Sequence, residues 1–545
     1  MHDCLVSKEN ESGRISSRGG KSGEMGMNGW RIASLTVMVL IAPAAIAQIP
    51  QAHVTGGTVA GVVKDGLSMF KGIPFAAPPV GALRWKAPQP VKPWSGVKQT
   101  TAFGAGCMQD PAMAKQMGAD VPLSEDCLFI DVWTPAKTAG EKLPVIAWIY
   151  GGGFNGGMTS VPLYDGANLA RKGVVFVSIS YRVGPFGFLA TPELSKESGH
   201  GSGNYGLLDQ IAGLKWVQAN IAQFGGDPVR VTLLGHSAGA YAVSMLTASP
   251  LTKGLFRGVI AESGANFQPP QASKWGGTTF QTLGLSEANG KAWLAKLGAT
   301  TLKQARALPA ATLEKAQRMP GAPHFWPPLD HYVLTGDQVT SWRQGRFNDV
   351  PVLVGSTSDE AASFGVHPMQ PAAFEAMVRK GYGTRADTIL AAYPHATEAD
   401  ATRAAKQLTR DTTFGWGAYT WARLQSEKGK AKAYVYYFDR PSARDPDGSG
   451  HGQEVGLVFG NLGLPGRPPA TPEDEAISRE MQGYWVNFAT SGDPNGPGLP
   501  HWPAFTNAEP RVMRIGARPG PAPVPNLDKL TALDSYYAWR REGGK

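Results

Sequence analysis

The sequence predicts an α/β protein with a mostly parallel central sheet flanked by helices on both faces. Two observations carry this. Short apolar, β-branched runs recur along the chain, clearest at 143–149, 174–180, 229–234, 350–354 and 433–438, with long stretches of helical periodicity between them. Each run also empties into a loop rich in Gly, Ser, Asp or Asn. In sheets of this kind ligands bind outside the carboxyl ends of the strands, so those loops are where chemistry should be sought.

Composition narrows the class. A chain of 545 residues that is 42% hydrophobic and 17% charged can bury a large core and is not a disordered polyelectrolyte. Its net charge of +9 is spread out. No run of five or six basic residues and no basic-aromatic alternation occurs, which argues against a nucleic-acid partner. There is no internal repeat and no Pro/Gly/Ser linker between two complete hydrophobic patterns, so residues 48–545 read as one domain.

Residues 1–47 read differently. A polar, basic stretch (Lys8, Arg14, Arg18, Lys21) leads through Trp30 and Arg31 into an apolar run that ends Ala45-Ile46-Ala47, the small-x-small pattern of a signal peptide. The run is shorter than the roughly 20 apolar residues of a spanning helix, and Pro43 interrupts it. Cleavage after Ala47 and export, periplasmic or secreted, are therefore expected, with Met25 or Met27 as alternative starts. Five Lys/Arg and four Asp/Glu lie in this leader, which leaves +8 on the remainder. Cys4 leaves with it, and Cys107 and Cys127 remain. In an exported chain such a pair suggests a disulfide worth about 3 kcal/mol. Two buried thiols are the alternative.

The run at 229–234 leads into Gly235-His236-Ser237-Ala238-Gly239, and 240–246 continues as a helix. Glycines at those positions allow a sharp strand-to-helix turn that exposes the serine, with the helix N-terminus facing developing negative charge. An ordinary glycine turn is the plain alternative in a chain holding 68 glycines. A serine hydroxyl needs an imidazole to take its proton and a carboxylate to fix the imidazole tautomer. Glu360 follows the run at 350–354, and His451 follows the run at 433–438 in Gly448-Ser449-Gly450-His451-Gly452. Asp359 is the rival acid. His324, His331, His367 and His395 lack a comparable strand-end glycine setting and read as surface or core residues. An oxyanion also needs prepositioned N–H donors, each worth about 3 kcal/mol in the transition state. Gly151-Gly152-Gly153-Phe154, after the run at 143–149, can supply bare amides, and Ala238 adds the one following the serine. A phosphate cradle is excluded there, since neither a following Lys-Ser/Thr nor the dinucleotide glycine spacing is present.

With these parts assembled, the chain resembles the type-B carboxylesterases, the family of para-nitrobenzyl esterases, mammalian carboxylesterases and cholinesterases. The resemblance covers nearly all of 48–545. It rests on Phe70-Lys71-Gly72-Ile73-Pro74-Phe75-Ala76, Pro78-Pro79-Val80-Gly81 with Arg84, Ser124-Glu125-Asp126-Cys127-Leu128, and Tyr150-Gly151-Gly152-Gly153-Phe154. It continues through Tyr181-Arg182-Val183-Gly184, Asn204-Tyr205-Gly206-Leu207-Leu208-Asp209-Gln210, Phe224-Gly225-Gly226-Asp227-Pro228, the serine turn and Trp485-Val486-Asn487-Phe488-Ala489. It implies an α/β-hydrolase fold whose large insertions form a gorge, and an acyl-enzyme esterase acting on small-molecule esters. Ser237, Glu360 and His451 would be its triad, Gly152, Gly153 and Ala238 its oxyanion donors, and Cys107–Cys127 its first disulfide. Arg84 with Glu125, and Arg182 with Asp209, would be structural ion pairs. The family implies no metal or organic cofactor, and the sequence has no metal-ligand spacing.

His236 departs from the pattern, because the family most often has Glu beside the serine. Its loss removes a negative charge from the pocket floor, and with the net +8 it points to substrates bearing carboxylates, such as the polycarboxylic esters of fumonisin mycotoxins. A neutral swap in a general esterase is the alternative. Phe154, and by strand-end position Phe325, Trp326 and Phe364, are expected to wall the gorge. Three other functions compete: a non-catalytic adhesion protein, opposed by the presence of Ser237, Glu360 and His451; an acyltransferase, for which no acceptor site is evident; and an interfacial lipase, opposed by the lack of a distinct apolar lid helix.

Overall fold

Among the described residues, β-branched and aromatic runs assemble into an eleven-stranded sheet. The computed structural model describes residues 50–270, 280–365, 367–441, 448–516 and 518–544, so the expected leader lies outside the described residues. In chain order the strands are β1 (Val62–Lys64), β2 (Leu67–Pro74), β3 (Phe129–Thr134), β4 (Leu143–Ile149), β5 (Val175–Ile179), β6 (Gly226–His236), β7 (Gly258–Glu262), β8 (Val352–Thr357), β9 (Ala433–Phe438), β10 (Arg511–Ile515) and β11 (Gly520–Pro523). Across the sheet they run β1-β2-β3-β5-β4-β6-β7-β8-β9-β10-β11. From β5 to β10 every junction is parallel, and both edges are antiparallel.

Parallel strands need crossovers, and helices on the faces bury the strands on both sides. Accordingly β5 (VFVSI) and β7 (GVIAE) are buried along their whole length. The helices that matter for the site are α1 (Tyr205–Asn220), α2 (Ala238–Ala248), α3 (Glu398–Arg410), α4 (Trp416–Lys428) and α5 (Pro472–Ser491). A Thr-Asp capping box starts both α3 and α5, with Thr397 and Asp400 in one and Thr471 and Asp474 in the other.

All five apolar runs are strands, and their ends are set by pairing rather than by apolarity. The run at 229–234 extends to His236, because the parallel ladder with β7 continues to His236 opposite Glu262. The run at 350–354 becomes Val352–Thr357 by continuing against β9. The helix expected at 240–246 is the longer α2. Cys107 and Cys127 are joined by a disulfide across 20 residues. Arg84 grips Glu125 through two hydrogen bonds of 2.6 and 2.5 Å, and Arg182 grips Asp209 through two of 2.8 Å. Both arginines also tie neighbouring segments together, Arg84 by donating to the Leu308 carbonyl and Arg182 to the Lys86 carbonyl.

Candidate active site

Backbone sterics create the turn at Ser237. A Cβ on Gly239 would lie 2.1 Å from the Ile149 carbonyl oxygen, and one on Gly235 would lie 2.5 Å from the Gly239 carbonyl, so only glycine fits on either side. Between them Ser237 adopts φ 57° and ψ −125°, a conformation that strains an L-residue by about 1–3 kcal/mol. Two hydrogen bonds hold it there: Ser237 N–H donates to the Glu262 carbonyl (2.8 Å), and its own carbonyl accepts from Tyr241 (2.9 Å). The residue is half-buried at the N-terminus of α2.

The glycine loop after β4 lies against this turn. A Cβ on Gly151 would sit 2.7 Å from the His236 carbonyl oxygen and 2.9 Å from the Ser237 Cβ. Gly152 has φ +115° and Gly153 φ +63°, values that free the loop to curl over the serine. Among the described residues no acceptor takes a hydrogen bond from the amides of Gly152, Gly153 or Ala238, which leaves all three as available donors.

Glu360 begins a short turn, Glu360–Phe364, directly after β8, and it is fully buried. One carboxylate oxygen accepts the Thr357 amide (2.8 Å), and the other meets His451 Nδ1 at 2.5 Å. With Nδ1 so engaged, Nε2 is the ring nitrogen left for a proton transfer. Asp359 makes no such contact: its carboxylate pairs with Lys406, on the other side of the loop. Among the described residues no hydrogen bond joins Ser237 to His451. Such contacts are often long in substrate-free hydrolases and close in the Michaelis complex.

Rings enclose His451. Phe414 stacks on it at 4.7 Å between centroids, Phe364 lies at 5.2 Å and His236 at 4.7 Å. His236 is buried, and its Nε2 has no partner among the described residues. Burial first and the neighbouring His451 second hold its imidazole well below the ordinary histidine range, so it is neutral at pH 7.

The sequence reading missed a group of buried acids behind the histidine. Glu454 accepts from Ser263 Oγ (3.1 Å) and Tyr436 OH (3.2 Å), and Glu262 accepts from Trp485 Nε1 (2.7 Å). Burial, reinforced by the charge of Glu360, pushes the Glu454 carboxyl up to about 7. Glu262 is pushed well above the carboxylate range by burial and by Glu454. The available signal was Glu454 itself, three residues after His451 and so able to fold back onto the same turn.

The sequence profile described as the carboxylesterase family matches residues 43–531. This chain belongs to that family. The carboxylesterase is 38% identical over 487 residues to a fumonisin B1 esterase of Sphingopyxis macrogoltabida, covering 86% of each chain. It is 37% identical over 468 residues to a para-nitrobenzyl esterase of Bacillus subtilis (strain 168), covering 82% of this chain and 91% of that one. A solved para-nitrobenzyl esterase structure superposes with a TM-score of 0.77 at 31% identity, covering 89% of this chain and 100% of the other. The fold is thus that of the α/β hydrolases, and the protein is a serine carboxylesterase.

The aromatic residues expected to wall the gorge part company. Phe154 is fully buried against Phe188 and Trp326, so it supports the glycine loop from behind and does not face substrate. Phe325 packs on Trp293 and Trp326 on Tyr241, both buried. Phe364, by contrast, is 52% exposed while stacked on Phe414 and tilted against His451, and it alone of the four is exposed. Of the other histidines, His324 stacks on Trp326 and His395 Nδ1 lies 2.8 Å from the Tyr393 carbonyl, with neither near Ser237 in sequence or hydrogen bonding. Among the described residues no cluster of His, Cys, Asp or Glu is arranged to hold a metal, and no helix is long and apolar enough to cross a membrane.

Proposed function

We propose that this carboxylesterase works through Ser237 as nucleophile, His451 as general base and Glu360 as the acid that orients it. The observation that carries the reading is the 2.5 Å contact between Glu360 and His451 Nδ1 beside a strained, half-buried serine. Attack of Ser237 Oγ on the ester carbonyl passes its proton to His451 Nε2, while the amides of Gly152, Gly153 and Ala238 receive the oxyanion. Collapse expels the alcohol with the proton from His451. Water then repeats the cycle on the acyl-enzyme and releases the acid.

We further propose that esters bearing carboxylates are preferred. Support comes from the neutral His236, which leaves the floor beside the serine without a carboxylate, from the basic surface, and from the relative named a fumonisin B1 esterase. General esterase action on neutral esters is the second reading, favoured by the near-equal identity to a para-nitrobenzyl esterase. Residues 1–47 are proposed as a leader removed on export, which N-terminal mass spectrometry of the exported protein would check.

A panel of neutral and carboxylate-bearing esters, assayed with Ser237→Ala alongside, tests the whole reading. Loss of turnover and of fluorophosphonate labelling in the variant is expected. His236→Glu should raise KM for acidic esters and leave neutral ones unchanged; an equal effect on both would sink the substrate preference. A folded wild type that cleaves no ester and resists the fluorophosphonate would sink the triad and favour a binding role.

A further inference from the structure

A cavity of about 1160 Å³ opens at the edge of the sheet formed by β10 and β11, and neither Ser237 nor His451 is among its described lining residues. One wall is a face of α3. Along it Arg403 is exposed and paired with Asp400, Lys406 is half-buried, and Arg410 is buried, a line of cations at helical spacing. Arg514, from β10, adds a fourth cation. Two carboxylates, Glu398 and Asp359, also line the space, and Asp359 is already paired with Lys406. The opposite wall is apolar, formed by Ala522, Pro523, Val524 and Pro525.

The guanidinium groups are incompletely satisfied. Arg410 is 5% exposed; its Nε donates to Asp411 (2.7 Å) and its Nη1 to the Ser358 carbonyl (3.1 Å), but Nη2 has no partner among the described residues. Arg514 pairs with Asp439 through Nη2, and its buried Nε has no acceptor among the described residues. Buried N–H donors without acceptors are costly, and a carboxylate is the acceptor whose planar geometry matches guanidinium donors. The apolar wall selects a ligand with a carbon skeleton over an inorganic oxyanion.

We propose that this cavity binds a small organic polycarboxylate at a site separate from the serine centre. The floor residues Ser358 and Asp359 directly precede Glu360, and they bond to the histidine loop through Ser358 Oγ with Ser449 N–H (2.9 Å) and Asp359 N–H with the Ser449 carbonyl (2.9 Å). Asp359 and Glu360 therefore point their carboxylates to opposite sides of one loop, the first to Lys406 and the second to His451. The inference stands apart from the proposed substrate preference, since it concerns binding and not turnover.

Calorimetric titration of the whole protein with propane-1,2,3-tricarboxylate tests it, with the uncharged tricarboxamide and inorganic phosphate as comparisons. Tricarboxylate binding is expected, with affinity falling about tenfold for each of Arg403→Gln and Arg410→Lys as a charge-assisted contact is lost. The titrations use protein whose Ser237 is capped by a fluorophosphonate, which fills the serine pocket, so that the binding measured is separate from the serine centre. Should Arg410→Lys fail to fold, Arg403→Gln at the exposed rim carries the test. No binding up to about 10 mM overturns the proposal, since that corresponds to less than about 3 kcal/mol. So does binding that both arginine variants leave intact. Phosphate binding as tightly as the tricarboxylate would overturn the organic ligand class.

Discussion

Around Ser237 the backbone does the holding, whereas around His451 the holding is electrical. The serine turn is fixed by glycines that admit no Cβ, by a positive φ and by hydrogen bonds to main-chain atoms of β7 and α2. The histidine is fixed by a carboxylate on its Nδ1 and by aromatic rings packed against it, and a second buried acid, Glu454, lies three residues on, bonded to Ser263 and Tyr436. Sterics tolerate almost no substitution but are insensitive to pH. Electrostatics let an isosteric change keep the fold while losing the chemistry, and they respond to pH. The two halves should therefore fail in different ways.

The largest effect expected is on chemistry alone. Ser237→Ala should lower kcat by about 10⁴-fold or more with little change in melting temperature, and Glu360→Gln by about 10³–10⁴-fold through the wrong tautomer of His451. A Glu360→Gln variant retaining near-native kcat would remove the electrical half of the contrast. On the steric side, Gly239→Ala should destabilise the fold by about 3 kcal/mol or more, because its Cβ would meet backbone oxygen at 2.1 Å and main chain cannot swing aside as a side chain can. Denaturant unfolding measures it; a shift below about 1 kcal/mol would show that the turn relaxes.

Smaller effects sharpen the acid–base half. Phe364→Ala should change kcat/KM by up to about tenfold, since an aromatic contact with His451 that is half open to solvent contributes about 0.5–1.5 kcal/mol. Unchanged kinetics on aromatic and aliphatic esters alike would take Phe364 out of the site. The subtlest concerns Glu454, whose carboxyl is raised from the ordinary 4.5 to about 7. A raised acid favours the folded state while protonated, so its contribution is complete below about pH 4.5 and is lost as pH climbs to about 7. The stability difference between wild type and Glu454→Gln should therefore shrink across that window, and a pH-independent difference would place the Glu454 charge elsewhere.

What the sequence by itself determined was whatever depends on local pattern: five strands, the order of Ser237, Glu360 and His451 at strand ends, the glycines of both loops, the cysteine pair, and a family resemblance now matched by a profile across 43–531. Tertiary packing decided the rest. β7 is five residues ending on Glu262, which reads as a polar boundary until Trp485, more than 200 positions away, donates to one of its buried carboxylate oxygens. Phe154 and Phe364 looked equivalent by position, yet one is sealed behind the glycine loop and the other lies over His451. Asp359 and Glu360 are adjacent and chemically alike, and only the alternation of direction along the loop sends one to Lys406 and the other to His451. Patterns of sterics and apolarity are written locally, but burial and charge environment are sums over residues distant in sequence, so they exist only once the chain has folded.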